Sequence, residues 1–191
     1  MREKEERLEM ACPFCRQPTP KLNIEDDRMM MKRVEANDPV ALRQVGKRRS
    51  DQGDYKSAVE YWRKAAALGD VIAHYQLSVM YHNSWGVEKD EKRELYHLEQ
   101  AAIGGHPGAR HNLGLFEAKN NGNAERAVKH WFIAAKLGDD DSMEKVKKGY
   151  QGGIFSEEDF TSTLRAHRAT KDATKSPQRE AAEKAAFTYL G

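Results

Sequence analysis

Two linked sequence patterns recur three times along the chain with a spacing in the mid-thirties. The first pattern places two adjacent alanines shortly before a glycine, so that Ala65, Ala101 and Ala134 correspond, with separations of 36 and 33 residues. The second pattern lies upstream of each and reads ALRQVG, AHYQLS and ARHNLG, beginning at residues 41, 73 and 109. A weaker fourth copy starts in SMEKVKKGYQGG at residue 142. Self-similarity at this period is the signature of a repeat array.

Each copy is predicted to form two helices. In AHYQLSVMY, Ala73, Leu77 and Tyr81 recur at every fourth position, which places them on one helical stripe. In DEKRELYHLEQAAIGG a second apolar stripe ends at two glycines, and Asp90 stands where an N-cap is needed. A helix pair this short cannot bury its apolar side alone, so neighbouring pairs must stack. We therefore expect an all-α solenoid of antiparallel helix pairs.

Composition and charge argue against several functional classes. The chain has 32 Lys and Arg against 30 Asp and Glu, a net charge of +2, which gives no concentrated positive field for nucleic acid or anionic lipid. No apolar run approaches the ~20 residues that a membrane span needs. The charged start MREKEERLEMA has no apolar signal-peptide core, and two cysteines suit a reducing compartment, so we expect a cytoplasmic protein. Catalytic and phosphate-loop motifs are missing, and we do not expect an enzyme.

The repeat resembles the Sel-one-like repeat, a relative of the tetratricopeptide repeat. That family shows A-x-x-x-L-G-x-x-Y, then G-x-G-V-x-x-D, then W-Y-x-x-A-A-x-x-G, and the second copy matches best. It departs from the pattern at Ser78, where the family has glycine, and at Trp85, where the family has the first loop glycine. The resemblance covers residues 38 to 153. It implies a right-handed superhelical solenoid that holds other proteins together.

The extent of the repeats and the helical composition of the flanks together predict four parts of the chain. Residues 1–22 form an irregular tail, and residues 23–37 form a capping helix before the repeats. The repeats occupy residues 38–153, and residues 154–191 form C-terminal capping helices. Polar-faced closing elements of this kind are required at both ends of a solenoid, because the outermost pairs have no neighbour.

A partner-binding surface is predicted on the first helices of the pairs. In a helix-pair solenoid these helices line a concave face along which a protein or peptide segment can lie. The residues two positions after each leading alanine, and one turn later, point away from the stripe that packs inside each pair. These residues are Arg43, Lys47, Tyr75, Val79, His111 and Leu115, with Glu144 and Lys148 in the fourth copy. Their mixture of basic, aromatic and aliphatic groups suits a peptide with acidic and apolar anchors.

Both cysteines stand in the tail, in MACPFCRQPTP, and three interpretations compete. A redox pair resembling a glutaredoxin site needs Cys12 at a helix N-terminus, yet Pro18 and Pro20 follow where that helix would run. A zinc site is suggested because C-P-F-C-R-Q-P resembles the last ligand pair of a RING finger, which has two zinc ions and two four-ligand sites. The third interpretation is a remnant of such a finger, since only Cys12 and Cys15 are present. We favour the remnant.

Two functions from different classes follow. The first is a protein-binding adaptor or scaffold without a cofactor. The alternative is a ubiquitin-ligase-related subunit, in which a complete RING finger recruits the conjugating enzyme and the repeats select substrates. The RING resemblance implies ubiquitin-ligase activity only if the full set of zinc ligands is present.

We predict that the purified protein carries well below one tightly bound zinc ion per chain. A half-site with two thiolates forfeits most of the ~10–16 kcal/mol that a closed structural zinc site provides. The double variant Cys12→Ser/Cys15→Ser should therefore keep the thermal stability of the parent. Metal analysis after treatment with a chelator makes the measurement, and one zinc ion retained per chain would contradict the remnant interpretation.

Overall fold

The computed structural model describes residues 24–120 and 122–174. Within these ranges all regular secondary structure is helical. The helices are α1 (Ile24–Glu35), α2 (Pro39–Asp51), α3 (Tyr55–Ala67), α4 (Val71–Asn83), α5 (Glu91–Ile103), α6 (Pro107–Asn120), α7 (Ala124–Lys136), α8 (Asp140–Gln151) and α9 (Glu157–Ala173). None of these described helices combines the length and the apolar character that crossing a membrane requires.

The helices form a right-handed superhelical solenoid of antiparallel pairs, as the sequence predicts. The pairs are α2 with α3, α4 with α5 and α6 with α7, and the second helix of each pair also packs against the first helix of the next. At one end α1 packs on α2, and at the other end α9 packs on α7 and α8. Each helix therefore has a partner on two sides, except near the ends of the described array.

Short polar side chains begin the helices, and glycines end several of them. The predicted N-cap Asp54 accepts a hydrogen bond from the backbone N–H of Ser57 at 3.2 Å, and Asp90 accepts one from Arg93 at 3.0 Å. These bonds satisfy N–H groups that have no partner inside the helix. After α3, Gly69 has a φ of +84°, a left-handed conformation that costs other residues a Cβ clash. Local chemistry thus sets the length of each helix.

The interior of the array is built mostly from alanine. Nine alanines from six helices have no solvent exposure: Ala41, Ala58, Ala65, Ala73, Ala101, Ala109, Ala127, Ala134 and Ala135. Because their side chains are a single methyl group, the helix backbones can approach closely. Larger apolar side chains such as Leu42, Leu77 and Val146 fill the space between these contacts.

In two of the three copies, a tryptophan of the second helix packs onto a glycine of the first helix. Trp62 of α3 is 1% exposed, and a Cβ added at Gly46 of α2 would lie 2.6 Å from its Nε1 atom. In the third copy Trp131 of α7 lies in the same way against Gly114 of α6. The second copy has Leu98 and Ser78 at the corresponding positions. The second copy thus has serine, which is larger than glycine, on its first helix and leucine, which is smaller than tryptophan, on its second helix.

We predict that Gly46→Ala destabilises the protein by ~1–3 kcal/mol, the usual cost of overpacking a filled interior. In an open helix the same change would stabilise by up to ~1 kcal/mol, because alanine is the better helix former. Urea unfolding followed by circular dichroism measures the difference.

The variant Trp62→Leu supplies the matched background, because it reproduces the side chain that the second copy already has. Adding Gly46→Ala in that background should be neutral or stabilising. Equal effects of Gly46→Ala in the two backgrounds would show that the contact with Trp62 is not what requires glycine.

Candidate functional site

The predicted surface residues Arg43, Lys47, Tyr75, Val79, His111, Leu115, Glu144 and Lys148 lie on α2, α4, α6 and α8 and define what we call the first-helix face. They fall into three groups. Arg43, Tyr75 and His111 contact the next repeat, Val79 and Leu115 line a cavity, and the other three lie in exposed local ion pairs.

The group that contacts the next repeat begins with Arg43. Its Nε donates to Asp70 Oδ2 at 3.0 Å, and only 9% of the Asp70 side chain is exposed. Asp70 is the N-cap of α4, where its other oxygen accepts from the backbone N–H of Ala73 at 2.7 Å. The arginine of one first helix therefore holds the start of the next first helix.

The equivalent residues in the second and third copies make equivalent contacts. The Tyr75 ring stacks on His106, with centroids 4.1 Å apart, and His106 Nδ1 accepts from a backbone N–H in the first turn of α6. His111 Nδ1 lies 3.2 Å from Oδ1 of Asp139, the N-cap of α8, and 2.7 Å from Oγ of Ser142. The chemistry differs at each step, but the positions are the same. This row of side chains connects successive repeats.

The exposed group makes contacts only within its own helix. Lys47 pairs with Asp51 at 3.0 Å, and Glu144 pairs with Lys148 at 3.9 Å, each one turn apart. Exposed pairs of this kind contribute little to stability, because both ions remain hydrated. They leave the ends of the first-helix face polar.

Val79 and Leu115 line a cavity of about 500 Å³ between α4, α5 and α6. Its apolar part is completed by Leu98 of α5 and Phe116 of α6. Lys89, Glu91 and Lys119 stand among its polar lining residues. His82 and Glu94 also line it and pair at 2.8 Å, with the His82 side chain exposed and that of Glu94 mostly buried. The site is an apolar hollow with charged groups of both signs around it.

The cavity occurs in the copy that has leucine, Leu98, where the other two have tryptophan on the second helix. Trp62 and Trp131 fill the equivalent position in the neighbouring copies, and Leu98 and Ser78 both line the cavity. A leucine is shorter than a tryptophan, so it leaves room that the indole ring would occupy. Sequence reasoning noted Ser78 as a departure from the family pattern but did not connect it to Leu98 on the partner helix. That pair of departures was the available signal.

A second group of polar side chains lies where α3, α4 and α5 meet, and we call it the α3–α5 cluster. It consists of Arg63, His74, Tyr81, Arg93 and His97. The phenol oxygen of Tyr81 accepts from Arg63 at 2.9 Å and from Arg93 at 3.2 Å. Burial opposes ionisation of the phenol, but Arg93 and Arg63 outweigh it and lower the pKa of Tyr81 below its ordinary value.

The two histidines of the cluster are hydrogen-bonded to each other. His74 Nε2 lies 3.1 Å from the carbonyl oxygen of Ala66, which only accepts, so Nε2 carries the proton. His74 Nδ1 therefore accepts from Nδ1–H of His97 at 3.0 Å. Burial lowers the pKa of His97 to about 4, with His74, Arg63 and Arg93 adding to the effect. Both rings are thus neutral near pH 7, since burial also lowers the pKa of His74.

The predicted metal ligands Cys12 and Cys15 lie outside the described residues, so the half-site stays a prediction. Among residues 24–120 and 122–174, no group of three or more His, Cys, Asp or Glu side chains is placed to hold a metal ion. Glu94 and His97, three residues apart on α5, turn to different partners, His82 and His74.

Comparisons with known proteins identify the repeat. A family model described as Sel1 repeat matches residues 41–70, 71–106 and 108–139, which are the three copies that carry the predicted pattern. A crystal structure of a Sel1 repeat protein from Oxalobacter formigenes is similar, with a TM-score of 0.59 and 26% identity over 65% of this chain and 98% of that one.

A second similar structure is c5321, a protective antigen of uropathogenic Escherichia coli strains that displays an SLR fold. It aligns with a TM-score of 0.60 and 25% identity over 78% of this chain. The aligned part is 33% of that protein, so this chain spans about a third of its length.

We predict that Arg43→Gln lowers the free energy of unfolding by ~1 kcal/mol or more, because it removes a half-buried charged hydrogen bond between repeats. The matched change Lys47→Gln, one turn further along α2, removes an exposed pair and should cost less than ~0.5 kcal/mol. Urea unfolding at constant ionic strength compares the two. Equal costs would contradict the assignment of Arg43 to the repeat-to-repeat contact.

Proposed function

The chain belongs to the Sel1 repeat family, and from that premise we propose that it is a protein-binding adaptor. It holds a segment of a partner protein along the first-helix face, with an apolar side chain of that segment in the cavity between α4, α5 and α6. The observation that carries this proposal is the cavity itself, which is present where the neighbouring copies have a packed tryptophan.

The size and lining of the cavity support an apolar anchor. A volume of about 500 Å³ falls within the range of small-ligand pockets and exceeds what one aliphatic side chain fills. Val79, Leu98, Leu115 and Phe116 supply apolar surface from three helices. An aromatic or large aliphatic side chain entering this space removes water from both surfaces, which is how the few dominant residues of an interface act.

The charges around the cavity favour acidic residues beside the anchor. Lys89 and Lys119 line it with no ion pair to another described residue. Of the two acidic lining groups, Glu94 is engaged by His82, and Glu91 also has an interaction partner. A partner segment that carries an aspartate or glutamate next to its apolar anchor would therefore gain electrostatic attraction during association.

The double variant Ser78→Gly/Leu98→Trp tests the proposal. It installs the residue pair found in the first and third copies, so the tryptophan should fill the cavity while the helix pair keeps a packing that the chain already uses twice. We expect unchanged helicity and a loss of at least tenfold in affinity for proteins that the parent binds. Proteins captured by immobilised parent and variant are identified by mass spectrometry, and their affinities are then measured directly.

Lys92→Ala provides the control, because Lys92 is an exposed residue of α5 that does not line the cavity. The Lys92→Ala variant should bind the same proteins as the parent. A filled-cavity variant that binds the same proteins with the same affinity would exclude the cavity as the anchor site.

The ubiquitin-ligase-related alternative depends on Cys12 and Cys15 rather than on the repeats. It requires a complete zinc finger, and the zinc measurement on the purified chain separates it from the adaptor function. In that alternative the first-helix face would still be the surface that selects a substrate protein.

A further inference from the structure

We propose that Arg63 and Arg93 form a binding site for a phosphoryl group carried on a side chain of a partner protein. The two guanidinium groups project from α3 and α5 and converge on one atom, the phenol oxygen of Tyr81, at 2.9 and 3.2 Å. Both arginine side chains are exposed, so their remaining N–H groups are accessible to a ligand.

The charge of this pair is only partly compensated. Arg63 has no carboxylate within ion-pairing distance among the described residues. Arg93 Nε lies 3.3 Å from Asp90 Oδ2, but the other oxygen of Asp90 caps the first turn of α5, where the helix dipole is positive. The remaining titratable groups of the cluster, His74 and His97, are neutral near pH 7. Of the two cations, therefore, only Arg93 has a carboxylate partner, and that carboxylate also caps α5.

The equivalent positions one repeat further along carry balanced charge. Glu117 replaces Tyr81 there, is 6% exposed and pairs with Arg126 at 3.0 Å. Glu99 stands at the position of Arg63. The complete equivalent set, from α5, α6 and α7, is Glu99, Arg110, Glu117, Arg126 and His130, which contains two arginines and two glutamates. The second copy has a phenol and an arginine in place of both carboxylates, so its positive charge is not required by the repeat.

The donor chemistry favours a phosphoryl group. Guanidinium groups present planar pairs of N–H donors that match phosphate oxygens, and the bonds are strengthened by charge on both partners. The Tyr81 oxygen accepts from both arginines and so holds the two guanidinium groups beside each other. A phosphorylated side chain carries about −1.5 to −2 charges at pH 7, which offsets the pair more fully than one carboxylate can. The exposure of both arginine side chains suits a group presented by another protein.

This site is separate from the cavity of the proposed function. The cavity lies among α4, α5 and α6, whereas the arginines project from α3 and α5 and neither lines the cavity. The filled-cavity variant Ser78→Gly/Leu98→Trp should therefore keep phosphoryl binding, so the two proposals fail independently.

The experiment titrates the full chain with N-acetyl-phosphoserine amide at constant ionic strength and follows the arginine Nε–H signals by NMR. N-acetyl-serine amide is the unphosphorylated twin, and inorganic phosphate is the minimal probe. We expect saturable binding of the phosphoserine compound and of phosphate, with no binding of the serine compound. Arg63→Gln should weaken binding at least tenfold, and Arg63→Glu, which copies Glu99 at the equivalent position of α5, should abolish it.

Arg168→Gln on α9 is the control, because it removes an exposed arginine outside the cluster and leaves the net charge equal to that of Arg63→Gln. It should bind as the parent does. The proposal is overturned if Arg63→Gln binds as tightly as the parent, or if Arg168→Gln loses as much affinity. Binding of inorganic phosphate without binding of the phosphoserine compound would overturn the assignment to a phosphorylated side chain.

Discussion

The close approach of the two helices within each pair is the constraint on which the other features depend. Fully buried alanines from both helices line this contact, so the backbones leave space for little more than methyl groups. Gly46 and Gly114 extend the constraint, because each faces an indole ring that a Cβ would contact too closely. A spacing this small fixes the relative position of the helices, and stacking then repeats it along the array.

Because the packing is regular, residues that differ in one copy have a visible structural effect. Where the second copy has Ser78 and Leu98 in place of glycine and tryptophan, α4 and α5 are still a packed pair and a cavity lies beside them. Where it has Tyr81 at the position of Glu117, the pair is also retained and positive charge is left on the surface. In both cases the helix pairing is the same in all copies while the side-chain chemistry at one position differs.

The period, the helices and their caps could be predicted from the sequence because each depends on residues close together in the chain. Asp54 and Asp90, for example, cap their helices by accepting hydrogen bonds from backbone N–H groups three residues further along the chain. The roles of Arg43, Tyr75 and His111 could not be predicted in the same way. Helical periodicity shows which side of its own helix a residue occupies, but not that Asp70, His106 and Asp139 of the next copy lie within reach. The cavity is still harder to predict from the sequence, because it depends on how completely the side chains of three helices fill the space between them.

The location of both departures in the second copy has a physical consequence. That copy lies between two copies that each have a packed tryptophan. Arg43 of α2 contacts the start of its first helix, α4, and Tyr75 of α4 contacts the start of α6. In a linear array the ends open first and the middle last, since an interior pair loses contacts on two sides when it unfolds. A cavity weakens the pair that contains it. The middle of the array is therefore the position where a binding site of this kind costs the solenoid least in local order, and where a bound partner finds α4 and α5 already held in place.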